Sequence, residues 1–129
     1  MKYEPIPAQD EEIAKAAIGA AIEVHRALGP GFLESIYRKA LAYELSLRGL
    51  AVEQEKEIVV PYKDIQISGQ RLDLLVGGRV LVELKCVEEF APIHQAQLIS
   101  YLKATGLRLG LLINFKVSIL KNGIKRIVL

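Results

Sequence analysis

Tryptophan is missing from this 129-residue sequence, and cysteine occurs once, as Cys86. A single cysteine excludes an intrachain disulfide, and a reducing compartment is the simplest setting. Lysine and arginine number 17 against 15 aspartates and glutamates, for a formal net charge of +2. That balance gives no argument by itself for nucleic acid, a membrane surface or any strongly charged partner. No apolar run approaches the roughly 18 residues of a membrane span. The stretch Met1 to Glu12 lacks the apolar core of a signal peptide. A soluble, cytoplasmic protein with no membrane partner is expected. Repeats, low-complexity tracts and internal linkers are absent too.

What is present suits a globular chain. The hydrophobic fraction is 51 % and the charged fraction 25 %, ordinary values for a packed domain. At this length about two-thirds of the unfolded surface can be buried, enough for a core. The expected organisation is a loose tail over residues 1–8, which holds Pro5 and Pro7, and one domain over 9–129.

From Asp10 the pattern is helical, with Ile13, Ala17, Ala20, Val24 and Leu28 at three- and four-residue steps and Gly29 as the stop. Gly29 to Gly31 make a tight turn. A second helix is expected over Leu33 to Arg48, and a third over Pro92 to Thr105 with its proline in the first turn. Strands are expected over Val52–Pro61, Arg71–Val76, Val80–Cys86, Leu107–Phe115 and Gly123–Leu129. Glu53, Glu55 and Glu57 alternate along the first, as on a solvated face. The order α-α-β-β-β-α-β-β predicts an α/β fold: a mixed central sheet flanked by helices.

Within this frame the hairpin Gly69–Lys85 stands out. Asp73 interrupts its first arm, and Glu83 and Lys85 its second. Burying a lone charge costs several kcal/mol unless a partner or a metal compensates. Strand side chains alternate between faces. A two-residue Gly77-Gly78 turn would set Asp73 opposite Val82 and mix charges with aliphatics on both faces. A shift by one residue pairs Val76 with Val80, Leu74 with Val82 and Leu72 with Leu84. One face becomes apolar, and burial should select that register. The loop is then Gly77-Gly78-Arg79, or the arm carries a bulge. The other face pairs Asp73 with Glu83 and Arg71 with Lys85. Carboxylates set side by side repel, and a hard divalent cation would offset the repulsion. The alternative is a solvated face with Asp73 paired to Arg71 or Lys85, and Glu83 to Lys85.

The motif extends beyond the hairpin. Gly69 and Asp73 give Gly-x-x-x-Asp; Glu83 and Lys85 give Glu-x-Lys; Gln97 and Tyr101 give Gln-x-x-x-Tyr on the next helix. Together these resemble the PD-(D/E)XK nuclease superfamily, and most its RecB-like branch. Upstream, Gly31, Glu34 and Tyr37 match the GxxExxY signature of a small bacterial family within it. The resemblance covers Ile13 to Val128 and implies a restriction-endonuclease-like αβββαβ core with one extra N-terminal helix. Leu72 stands where the superfamily's signature has its proline, a position that varies.

By this resemblance Asp73 and Glu83 would hold Mg²⁺ or Mn²⁺, with the backbone carbonyl of Leu84 as a third ligand and Glu34 completing the site directly or through water. Lys85 would orient the attacking water and meet developing negative charge. Gln97 would position the lysine or the phosphate, and Tyr101 would buttress the site. His94, at i−3 from Gln97 on the same stripe, is a candidate for substrate contact, with simple exposure as the alternative. Tyr37 is expected to pack between helix and sheet, and Cys86 to be a small core residue.

Two functions follow. The first is a metal-dependent nuclease acting on nucleic acid, DNA ahead of RNA. The second is a catalytically silent nuclease fold that binds nucleic acid or a protein partner. A degenerate member would be expected to lose the lysine or a carboxylate, and all three are present here. No basic arm or appended domain is visible. Lys116, Lys121, Lys125 and Arg126 offer a modest basic patch, and a second copy or another subunit could supply further grip.

Overall fold

A computed structural model of the chain describes residues 4–129; the remainder of the expected tail, residues 1–3, lies outside them. Helix α1 (Ala8–Leu28) and helix α2 (Glu34–Leu47) lead into a three-strand meander, β1 (Val52–Tyr62), β2 (Ile65–Val76) and β3 (Val80–Lys85). Helix α3 (Pro92–Thr105) crosses to β4 (Leu109–Asn114), and a short 3₁₀ turn (Leu120–Gly123) leads to β5 (Ile124–Val128). The sheet order is β1-β2-β3-β4-β5. Only β3 and β4 run parallel; the other neighbours are antiparallel. This is the expected α/β fold, a mixed sheet with helices on both faces and one helix ahead of the αβββαβ core.

The α1 stripe Ile13, Ala17, Ala20 and Val24 is buried as its spacing predicts. With Tyr37, Leu41 and Leu45 of α2 it covers one face of the sheet, against Leu74, Val82, Leu84, Leu111 and Ile113. Leu98, Tyr101 and Leu102 of α3 cover the other face, against Leu72, Leu81, Leu112 and Ile127. All six residues of β4 are buried, which accounts for the apolar run that leads up to Asn114. A Cβ on Gly110 would lie 3.1 Å from the Leu98 side chain, so this glycine lets α3 settle close to the sheet.

The hairpin has the register that burial selects. Val76 pairs with Val80 and Leu74 with Val82, across the loop Gly77-Gly78-Arg79. Gly77 and Gly78 have φ of 61° and 68°, the left-handed region that glycine enters freely. A Cβ on Gly77 would come within 2.7 Å of Ile13 on α1, so the loop is seated against the first helix.

Two expectations need correction. The second strand begins at Ile65, six residues before Arg71. Its outer part is exposed and held by main-chain pairing to β1, such as Pro61 with Gln66, so no burial pattern announces it. Leu72 does not pair with Leu84. The β2–β3 ladder ends at Leu74–Val82, and Leu72 turns into the α3 layer beside Ile58. Arg71 accordingly faces Glu57 across β1, where Lys85 was expected as its partner.

Candidate active site

The rung after Leu74–Val82 is built from side chains. The Asp73 N–H donates to Glu83 Oε1 at 2.9 Å, and the Leu84 N–H donates to Asp73 Oδ2 at 2.7 Å. Where the strands part, each carboxylate takes a main-chain donor that would otherwise go unpaired in a buried place. Glu83 is 5 % exposed. Burial, then the neighbouring Asp73 charge, pushes its carboxyl up to about 8. Asp73 is raised too, by burial, although the Leu84 N–H and the Lys85 charge pull the other way.

Lys85 lies two residues beyond Glu83 on the same face. Its Nζ is 3.8 Å from Glu83 Oε2 and 3.5 Å from Gln97 Oε1, so α3 and β3 share the ammonium. One turn along α3, the Tyr101 hydroxyl accepts from Gln70 Nε2 at 3.0 Å. Tyr101 is otherwise buried against Leu72 and Leu98, and burial raises its phenol.

Glu34 is the first residue of α2 and enters from the other layer. Burial, followed by the charge of Asp73, raises its carboxyl, while Lys85 and Arg38 lower it. The three carboxylates therefore feel one another. Among the described residues, though, no group of three His, Cys, Asp or Glu side chains is close enough to hold a metal ion by side chains alone.

Helix α2 has no side-chain N-cap. Tyr37 instead fixes the turn ahead of it from inside. Its hydroxyl donates to the Gly29 carbonyl and accepts from the Phe32 N–H at 3.1 Å, while its ring stacks on Phe115 with centroids 4.5 Å apart. The packing role expected of Tyr37 is present, and the hydroxyl also ties the glycine turn to the helix that carries Glu34.

His94 is occupied elsewhere: its Nδ1 accepts the Ala91 N–H at 3.0 Å at the start of α3, and its ring meets Phe90 edge-on. Cys86 packs against the α1–α2 core, and burial raises its thiol, which disfavours a nucleophilic thiolate. Of the four basic residues near the end of the chain, Lys116 pairs with Glu88 at 2.7 Å and Arg126 pairs with Glu11. Glu53, Glu55 and Glu57 are exposed, as expected.

The matching family description is the PD-(D/E)XK nuclease superfamily, over residues 11–127. The chain belongs to this superfamily. No curated protein and no solved structure matches it. The superfamily's nucleases generally use divalent metals, and the buried Asp73–Glu83 pair with Lys85 beside it lies within the matched residues.

Two residues near this site carried no motif. Gln70 bonds Tyr101, three positions before Asp73. Arg38 lies one helical turn after Glu34. Its charge lowers both Asp73 and Glu34, yet its Nε is buried without a partner and its ion pair to Glu55 spans 3.7 Å. The i, i+4 spacing from Glu34 was the available signal for Arg38. Gln70 had none, because its contact depends on how far α3 stands from β2.

Proposed function

We propose that the protein is a metal-dependent nuclease that hydrolyses phosphodiester bonds in nucleic acid, DNA ahead of RNA. The observation that carries this reading is the carboxylate rung Asp73–Glu83 with the Lys85 ammonium beside it. The pair suits Mg²⁺ or Mn²⁺. Magnesium is commonly held by one or two carboxylates together with waters and substrate phosphate, so a third acidic side chain is unnecessary. Each carboxylate spends one oxygen on a main-chain N–H and keeps lone pairs for a cation.

Asp73 and Glu83 would hold the ion, with the Leu84 carbonyl as a further oxygen donor and Glu34 reaching it through water. When bound, the cation supplies Lewis acidity towards the phosphate and lowers the pKa of a coordinated water. Lys85 cannot ligate a cation while protonated. It orients the attacking water and meets the negative charge that grows on the phosphate. Gln97 holds Lys85 in place, and Tyr101, fixed by Gln70, backs the site. His94 supports it through the first turn of α3. Gly31, Glu34 and Tyr37 support placement in the GxxExxY family of the RecB-like branch, and the single cysteine is consistent with a cytoplasmic protein.

The alternative is a catalytically silent nuclease fold that binds nucleic acid or a protein partner. Purified protein incubated with single- and double-stranded DNA and RNA, in Mg²⁺ or Mn²⁺, separates the two. Metal-dependent cleavage that disappears in Lys85→Ala is expected. Absence of cleavage of every substrate in both metals would favour the silent module.

A further inference from the structure

A cavity of about 710 Å³ opens between β1 and α3, inside the range of about 300–1,000 Å³ that accepts small-molecule ligands. Ile58, Val60 and Pro61 form one wall and Ala96 and Ala104 the other. Its polar groups are Gln70, Gln97, Ser100, Tyr101 and Lys103. Gln97 also lies 3.5 Å from Lys85 Nζ, and Gln70 bonds Tyr101 at 3.0 Å. Cavity and candidate active site therefore adjoin at Gln97, which lines the one and touches Lys85 of the other. Among the described residues the only charge on the cavity wall is a cation, Lys103.

We propose that this cavity receives an unpaired nucleobase of the strand held at Asp73, Glu83 and Lys85, so that the substrate is single-stranded or frayed nucleic acid. The inference rests on the nuclease reading and specifies its substrate. A phosphodiester at the carboxylates has its nucleoside beside it, where this cavity lies. A base is flat and apolar on both faces and carries donors and acceptors on its edge. Two apolar walls suit the faces, and the Gln70 and Gln97 amides suit the edge. Lys103 suits the next phosphate. A base in a duplex is stacked and paired, and enters such a slot only by leaving the helix.

The test is fluorescence anisotropy in Ca²⁺ with three labelled DNAs: a single strand, the same strand with abasic sites in place of nucleosides, and a hairpin duplex. Wild type should bind the single strand at least about tenfold more tightly than either of the others, since only the single strand offers an unpaired base. Ala96→Trp and Val60→Trp fill the cavity from opposite walls at exposed positions. Each should bring single-strand affinity down to the abasic level and leave abasic binding unchanged. Equal affinity for single and abasic strands, or tighter binding of the duplex, overturns the proposal. So does a wild-type dimer in sedimentation that dissociates in Ala96→Trp, which would make a second copy the occupant. Cleavage in Mg²⁺ is measured separately. Cleavage without base dependence in binding removes the cavity's role and leaves the nuclease reading; base-dependent binding without cleavage supports the cavity and removes the nuclease reading.

Discussion

Asp73 and Glu83 hold each other's strands: the Glu83 carboxylate takes the Asp73 N–H at 2.9 Å, and the Asp73 carboxylate takes the N–H of Leu84, next to Glu83, at 2.7 Å. The carboxylates therefore have two duties, closing the sheet and presenting oxygens, and substitutions can separate them.

Asp73→Asn preserves the acceptor for Leu84 and removes one of two crowded charges. In EDTA this variant should melt at or above the wild-type temperature, because functional sites are often held at a stability cost. Asp73→Ala leaves the Leu84 N–H without its acceptor and should lose about 1–3 kcal/mol. Wild type should gain stability with Mg²⁺ or Mn²⁺ as RT ln(1 + [L]/Kd), about 2.7 kcal/mol at a hundredfold excess, and Asp73→Asn should lose most of that gain. Thermal melts across a metal titration measure all three. Equal metal shifts in wild type and Asp73→Asn would show that Asp73 is not a ligand.

Lys85→Ala should lower the rate of metal-dependent cleavage by at least about 10²-fold, the usual effect of deleting one donor to a developing charge. Metal-induced stabilisation should persist, because a protonated lysine is no ligand. Single-turnover rates and melts on the same preparation check both halves. An unchanged rate would remove Lys85 from the mechanism.

Glu83 sets a pH dependence. Its carboxyl lies near 8 in the fold against an ordinary 4.5. The folded state then holds more protons than the unfolded state between those values, so the contribution to stability is full below pH 4.5 and is lost as pH rises through 8. Without metal, stability should fall across this window by at most about 1.4 kcal/mol per pH unit. Glu83→Gln should flatten the curve, and Mg²⁺ should flatten it for wild type by favouring the ionised carboxylates. Urea midpoints at several pH values are the measurement. Stability that rises over the window would mean that Glu83 is ionised in the apo protein.

Tyr37→Phe keeps the stack on Phe115 and deletes the hydroxyl between Gly29 and Phe32. It should lose about 1–3 kcal/mol, because two main-chain groups lose their partner. If the turn sets the position of Glu34, cleavage should fall by more than the loss of folded protein explains. Activity normalised to the folded fraction by circular dichroism tests this, and activity that only tracks folding would confine Tyr37 to stability.

Much of this was legible from residue order. The third helix was bounded to the residue, with its proline in the first turn, and the apolar face of the hairpin fixed its register and hence the meeting of Asp73 with Glu83. Ile65 to Gln70 escaped notice because exposed side chains on a paired strand carry no burial pattern. Leu72 was assigned to the wrong layer because alternation assumes a continuous ladder, and this one stops where the carboxylates take over. Arg38 and Gln70 have roles set by distances between elements remote in sequence.

Helix α1 packs on β4 and on the 3₁₀ turn that follows it, segments that come some ninety residues later in the chain. The α1–α2 pair and the β1–β3 meander are local and can form before those partners exist. Docking of α1 on β4 must wait, and contacts of such long separation slow folding. A chain caught before that step would already hold the Asp73–Glu83 rung, which lies within the meander, while Leu84, Leu111 and Ile113 stood uncovered. The characteristic failure of a variant weakened at the α1 interface is therefore self-association through that aliphatic face, with loss of yield ahead of loss of the site.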